Sequence, residues 1–441
     1  MHWGKSKMKI GQILDKYCTQ VFGYSKRLVL FFTAMFCVLT VGLILIQYQV
    51  SDIGGAKRDA RVGHLPLIQY IAKYSELPNP AEYAVANIPL WHFIAAGLIN
   101  ISGGIFLIHI FQVFLALLSL YLLFTILCKV TAYKIAILGT MVLAFNGYFI
   151  AFSYFPTTDG LAVTLFMSFV WVLVRIQDHP GGIFNTVLLN LIISCSVLNR
   201  QMFLFLFLIY GLSLIGKRRI LLIFTDVLPS IIVIGTGFFY FYVKYCDILN
   251  SDKCWPVRQT RDLYFPVLVN LPVVCFLVAL FFFPVLYLNR DFSIISKTRV
   301  LSIFIGVFIF FGLVGNGLIE KGSFVVGGGL YKFRQGIGSI SLVFDVVSVS
   351  LFIVILYLSY MKLSSNKWIL HSVLVLSISS LFGPFAFQRY YEPYLLILAI
   401  VFIFSNSLDI FMGKSRYFLT WIFAMCMFQV FEFVASCFIN I

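Results

Sequence analysis

Charged side chains are scarce in this chain. Asp, Glu, Lys and Arg make up 11% of its 441 residues, whereas a soluble domain carries about a quarter. Hydrophobic residues make up 61% and the mean hydropathy is +0.99, more apolar surface than a water-soluble core needs. No HExxH, P-loop, GxSxG or CxxC pattern occurs. The glycines Gly327, Gly328 and Gly329 are not followed by the Lys-Ser/Thr of a nucleotide loop, which argues against a soluble nucleotide-sugar enzyme. The nine cysteines lack metal-type spacing, and only Cys246 and Cys254 share a polar segment, as a disulfide or as free thiols. Internal repeats, low-complexity tracts and a separate soluble domain are also missing, so residues 1–441 read as one membrane domain.

What fills the chain is apolar runs. A bilayer span needs about 20 apolar residues, and the sequence has about thirteen such segments. They lie near 28–50, 105–127, 135–153, 160–175, 183–198, 202–216, 220–241, 265–287, 300–319, 338–360, 368–387, 393–411 and 417–439. The first comes after Lys5, Lys7, Lys9 and Lys16 and lacks a small-residue cleavage site, the pattern of a retained signal anchor. With that basic end in the cytoplasm, the cytoplasmic side receives 19 of the 32 basic residues and four acids, and the other side 13 basic residues and ten acids. The formal charge of +15 therefore obeys the positive-inside rule, and nucleic acid is not an expected partner. Residues 51–104 form an extended first outer loop. Within it, 89–101 is apolar but too short to cross, which predicts a short interfacial helix.

Five polar clusters interrupt the apolar sequence on the outer side: RDARVGHLPLIQY, YFPTTDG (154–160), LNRQM (198–202), NGLIEKGSFVVGGGLYKFRQ (316–335) and FQRYYEPY (387–394). Any one of them read alone is an interfacial anchor. Together they put acids, arginines and aromatics on one face of a membrane, as a lipid-linked phosphate substrate requires. Arg200, Lys332, Arg334 and Arg389 can neutralise a phosphate, and Trp91, Tyr154, Tyr390 and Tyr391 can stack on sugar faces. Asp59 or Asp159 can take the proton of an attacking sugar hydroxyl. His109 and His371, alone within spans, read as packed side chains, and packing is also the preferred reading of the span acids Asp226, Asp345 and Glu432.

In this order the clusters resemble the terminal α-1,2-glucosyltransferase family of dolichol-linked oligosaccharide assembly, a membrane family of the GT-C type. The resemblance is carried by HLPxxQ at His64, Leu65, Pro66 and Gln69, by Pro89-Leu90 before an aromatic, and by Thr158-Asp159-Gly160. Arg200-Gln201, NGxIxxG at Asn316, Gly317, Ile319 and Gly322 with a later Gln335, and Arg389 with Tyr391 complete it. Two departures stand out. The acidic pair expected before the histidine is replaced by Ala60 and Arg61, with Asp59 one residue early, and Ser323 opens a Val/Gly run where an acid and a histidine are expected.

The resemblance implies an all-α, GT-C-like polytopic protein that moves a sugar, glucose by preference, from a polyprenyl-phosphate carrier with inversion. The acceptor would be a glycan or lipid-linked oligosaccharide on the non-cytoplasmic face. A bacterial inner membrane is the favoured setting, with an endoplasmic reticulum membrane as the other. Asp59 is the first-choice base, and Asp159 the second choice or a ligand for a divalent metal or sugar. His64 and Gln69 would position the sugar, Trp91 and Tyr391 would contact it, Arg200 with Gln201 and Arg389 would meet phosphate, and Lys332 and Arg334 would assist. The rivals are a lipid-linked oligosaccharide flippase, which calls for polar residues in mid-span and inverted repeats, and an O-antigen polymerase or ligase, which calls for one dominant late outer loop.

Overall fold

A computed structural model gives the architecture. It describes residues 31–36, 38–40, 56–78, 90–178, 183–214, 220–245, 267–289, 297–318, 326–327, 341–363, 367–381, 386–387, 391–411 and 415–438. The regular elements of the described residues are helices, apart from a two-residue parallel pairing of Val326–Gly327 with Ala386–Phe387. Three helices, Phe106–Val130, Thr158–Ile176 and Ser341–Met361, are long and apolar enough to cross a membrane. The fold is thus all-helical and of membrane type.

Outside the first loop, the remaining helices lie within the apolar runs of the sequence. One run is broken into Tyr133–Ala144 and Gly147–Phe152, where Asn146 interrupts it and caps the second piece by accepting the Phe149 N–H at 2.9 Å. The first loop carries two short helices, Leu65–Tyr74 and Leu90–Ser102. The second of these is the short helix expected over 89–101. It stops at Gly103, whose φ of +71° suits a residue without a Cβ and whose N–H reaches Ile99 O at 2.7 Å. Leu67, Ile68, Ile71, Trp91, Ala95 and Ala96 pack these two helices together against Ile108, Leu115 and Leu161.

The entry into Leu65–Tyr74 is unusual. The α-helical turn Ala56–Asp59 widens to a π-turn over Ala60–His64, in which the Leu65 N–H donates to Ala60 O, five residues back. Pro66 explains it. Its ring would meet the Val62 carbonyl in a regular helix and it has no N–H to donate, and widening the turn removes the clash.

At the centre of the body lies Glu392–Ser405, buried from Glu392 through Phe404. An apolar helix with no polar face belongs inside a bundle, and this one touches Phe106–Val130, Tyr133–Ala144, Thr158–Asp178, Val267–Phe281 and Lys367–Leu381. Close packing elsewhere depends on glycine: a Cβ on Gly139 would stand 2.9 Å from Leu127 Cδ1 and overlap the Phe404 ring.

Pro229 lies inside Ile220–Tyr245 and removes one backbone donor. Next to it the Asn190 carboxamide spans one helical step, donating to Asp226 O and accepting the Ser230 N–H at 3.0 Å. Asp226 itself accepts from the Tyr210 hydroxyl at 3.0 Å, so this span acid serves packing. Asn190→Leu is expected to cost about 2–4 kcal/mol, because it strips a partner from two backbone groups with little access to water. Thermal unfolding in detergent of the variant beside the parent checks this.

Candidate functional site

The segment YFPTTDG joins Gly147–Phe152 to Thr158–Asp178 and leaves helical geometry between them. Five consecutive carbonyls there accept from side chains. Tyr154 O receives His109 Nδ1–H at 2.9 Å, Phe155 O and Thr157 O share the Gln112 amide at 3.2 and 3.1 Å, Pro156 O receives the Trp91 indole at 3.4 Å, and Thr158 O receives Asn199 Nδ2–H at 3.0 Å. Thr157 caps the next helix through the Asp159 N–H at 3.4 Å. Gly160 lets this happen at close quarters, since a Cβ there would stand 2.9 Å from the Phe152 carbonyl and overlap the Gln112 amide oxygen.

Onto this turn the structure brings several of the residues expected from sequence. Asp159 and Arg200 form a buried ion pair, and Arg200 Nε also donates to Thr158 Oγ1 at 3.1 Å. Tyr394, wedged between Phe166 and Phe203 with ring centroids at 5.0 and 5.5 Å, interacts electrostatically with both members of the pair. Tyr391 is buried at the head of the central helix, where its carbonyl accepts the Leu395 N–H. Beside it Glu392 accepts from Asn146 Nδ2 at 2.8 Å, and the same nitrogen donates to Gln429 Oε1 at 2.7 Å. The pairing of Val326–Gly327 with Ala386–Phe387 adds the fourth cluster to the fifth.

The first cluster arrives through histidine. His64, the last residue of the π-turn, is buried, and its Nδ1 meets His92 Nε2 at 2.9 Å with the ring planes 17° apart. The adjacent Trp91 is the side chain that reaches Pro156. Asp59 is half-buried in the helical turn that packs against Gly147–Phe152.

Other expected residues stand elsewhere. Gln69 is exposed on the far side of its helix. Trp91 is wholly buried, with its ring stacked on Phe111 rather than open to a sugar. Gln201 opens the short Gln201–Leu204 helix. Lys332, Arg334, Arg389, Tyr390, Cys246 and Cys254 lie outside the described residues. Among the described residues, no three His, Cys, Asp or Glu side chains come together as metal ligands. No family model and no characterised protein in the comparisons matches the chain.

His92, Gln112, Asn146, Asn199 and Tyr394 do not stand out in the sequence as site residues. The available signal is a lone polar residue within an apolar run, as at Gln112 and Asn146, or beside a span end, as at Asn199.

Asp159→Leu or Arg200→Met alone is expected to cost about 3–5 kcal/mol by leaving a buried charge uncompensated, and the double variant less than the sum; melting temperatures of the three variants decide this. Burial, reinforced by His64, holds the His92 imidazole well below its ordinary value of 6.5. Folded His92 therefore stays neutral while the unfolded chain binds the proton near 6.5, so acidification through that range favours unfolding. His92→Gln should flatten that part of the pH dependence of the melting temperature.

Proposed function

We propose that the chain is a polyprenyl-phosphate-sugar-dependent glycosyltransferase of the inverting kind, with a GT-C-type arrangement of about thirteen spans and its site on the non-cytoplasmic face. The observation that carries the proposal is the meeting of polar clusters far apart in sequence, at 59–64, 91–92, 154–159, 200 and 391–394, around one non-helical turn. Their order along the chain is the order in the glucosyltransferase family that the sequence resembles. A bacterial inner membrane is the proposed setting, glucose the proposed sugar, and a glycan or lipid-linked oligosaccharide the acceptor.

Asp159, paired with Arg200 in the interior, is proposed to hold the turn together. Asp59, half-buried on the first loop, is the proposed base. It takes the proton of the acceptor hydroxyl as that oxygen bonds to the anomeric carbon, and the carbon–oxygen bond to the carrier phosphate breaks with the electron pair leaving on the phosphate. A single displacement inverts the centre. Arg389, with Lys332 and Arg334, is proposed to balance the charge of the departing phosphate, and His64 to orient the sugar. The turn holds Asp159 with Arg200 and, through Trp91, the helix that carries His92 in fixed relation, and effective catalysis depends on such fixed placement.

Asp59→Asn is expected to lower transfer from polyprenyl-phosphate-glucose in isolated membranes by about a hundredfold or more, the usual contribution of a general base, with unchanged yield of folded protein. Full activity in that variant overturns the assignment of the base. Deleting the gene and weighing the surface glycan or lipid-linked oligosaccharide by mass spectrometry tests the wider reading. Loss of one hexose supports it, whereas complete glycan stranded on the cytoplasmic side favours a flippase.

A further inference from the structure

We infer that His92 is the positioning residue of this site, fixing the ring of His64 so that one defined nitrogen of His64 faces the sugar. The inference rests on the glycosyltransferase reading and deepens it, because it names the group that orients the sugar-binding side chain.

Three observations carry it. His92 is completely buried, and its Nε2 meets His64 Nδ1 at 2.9 Å with the rings stacked at 5.1 Å. The helix that carries His92 is held in place: the preceding residue, Trp91, is hooked to Pro156 O, and Ala95 and Ala96 one turn on are packed with the Leu65–Tyr74 helix. Its other nitrogen, Nδ1, is buried without a hydrogen-bond partner. Such a buried polar atom is destabilising, and an apolar residue would fill the same space without that cost. What the imidazole supplies, and an apolar residue does not, is its bond to His64.

The backbone prepares His64 from the other side. The π-turn forced by Pro66 ends at His64, and widened turns of this kind re-aim the side chains they carry. With Nδ1 of His64 committed to His92, its substrate contact runs through Nε2. If the shared proton sits on His64 Nδ1, Nε2 accepts; if it sits on His92 Nε2, the His64 Nε2–H donates. A sugar hydroxyl, which both donates and accepts, meets either form.

The test is a double-mutant cycle on the full-length protein in membranes, read as transfer from polyprenyl-phosphate-glucose and normalised to folded protein by size-exclusion chromatography. His64→Ala and His92→Leu should each lower kcat/KM by about tenfold or more. In the His64→Ala background, His92→Leu should then cost less than about threefold, because coupled residues do not add. His92→Gln, whose amide reaches the position of Nε2, should restore activity to within about threefold of the parent, a rescue that a merely space-filling role would not give. Additive losses, or a folded His92→Gln variant as inactive as His92→Leu, overturn the role of His92 while leaving the glycosyltransferase reading intact. A parent protein that transfers no sugar overturns both.

Discussion

Backbone that departs from a helix inside an apolar body must find partners for its carbonyls and N–H groups, since neither lipid nor a packed core provides them. The segment from Tyr154 to Thr158 meets that demand by giving each carbonyl a side-chain donor, while the Tyr154, Phe155 and Thr157 N–H groups donate to backbone carbonyls. Its five carbonyls take hydrogen bonds from Trp91, His109, Gln112 and Asn199, on the helices Leu90–Ser102, Phe106–Val130 and Ile183–Asn199. The requirement works in both directions. The turn keeps its shape because three helices hold it, and the helices keep their relative placement because each has a donor committed to the turn. Gln112 illustrates how tight the arrangement is, for its amide reaches two carbonyls only because Gly160 leaves room beside it.

The ion pair extends the same logic. Two opposite charges taken out of water repay their desolvation only with good geometry and further hydrogen bonds. Arg200 has both, gripping Asp159 and the Thr158 hydroxyl at the first turn of Thr158–Asp178. The pair therefore ties the start of one helix to the end of Ile183–Asn199, which Asn199 also joins to the turn. Asn146, Glu392 and Gln429 do equivalent work between the broken run 133–152, the central helix and Ser415–Phe438. In a membrane protein, where apolar contact discriminates weakly between helix partners, such polar ties specify which helices meet.

How much of this is legible in the sequence depends on the range of the interaction. The helices are readable because each is a local run of apolar residues, and the short 90–102 helix because its length falls below a bilayer crossing. Spans such as 135–153 and 265–287, read as continuous, are broken, the first by Asn146 and the second just after Phe281. The polar clusters are readable as interruptions, but the division of roles within them is not. In a string of letters Asp159 looks like a reacting group and Trp91 like a platform for a sugar, and their contacts with Arg200 and the Pro156 carbonyl leave no local trace. His92, beside Trp91 in an apolar stretch, looks like an interfacial anchor, and its bond to a residue 28 positions earlier leaves none either. The π-turn has a readable cause in Pro66, yet its consequence, a widened approach to His64, requires the backbone itself.

This separation bears on what the family resemblance means. Thr158, Asp159, Gly160 and Arg200, which carry a large part of it, are the residues that build and hold the turn. A pattern resting on them speaks for the scaffold, which can host more than one acceptor. The departures, Ala60 and Arg61 in place of an acidic pair, fall instead on the first loop, beside Asp59 and the His64–His92 couple. There the π-turn adds one residue to a helical turn, and an added residue rotates the preceding turn by about 100° relative to the helix beyond it. Asp59, one position early by counting, is thereby turned back toward the angular position that residue 60 would hold in a regular helix. The displacement in sequence and the widening of the backbone oppose each other, so the loop that departs most from the pattern in its letters departs less in its backbone.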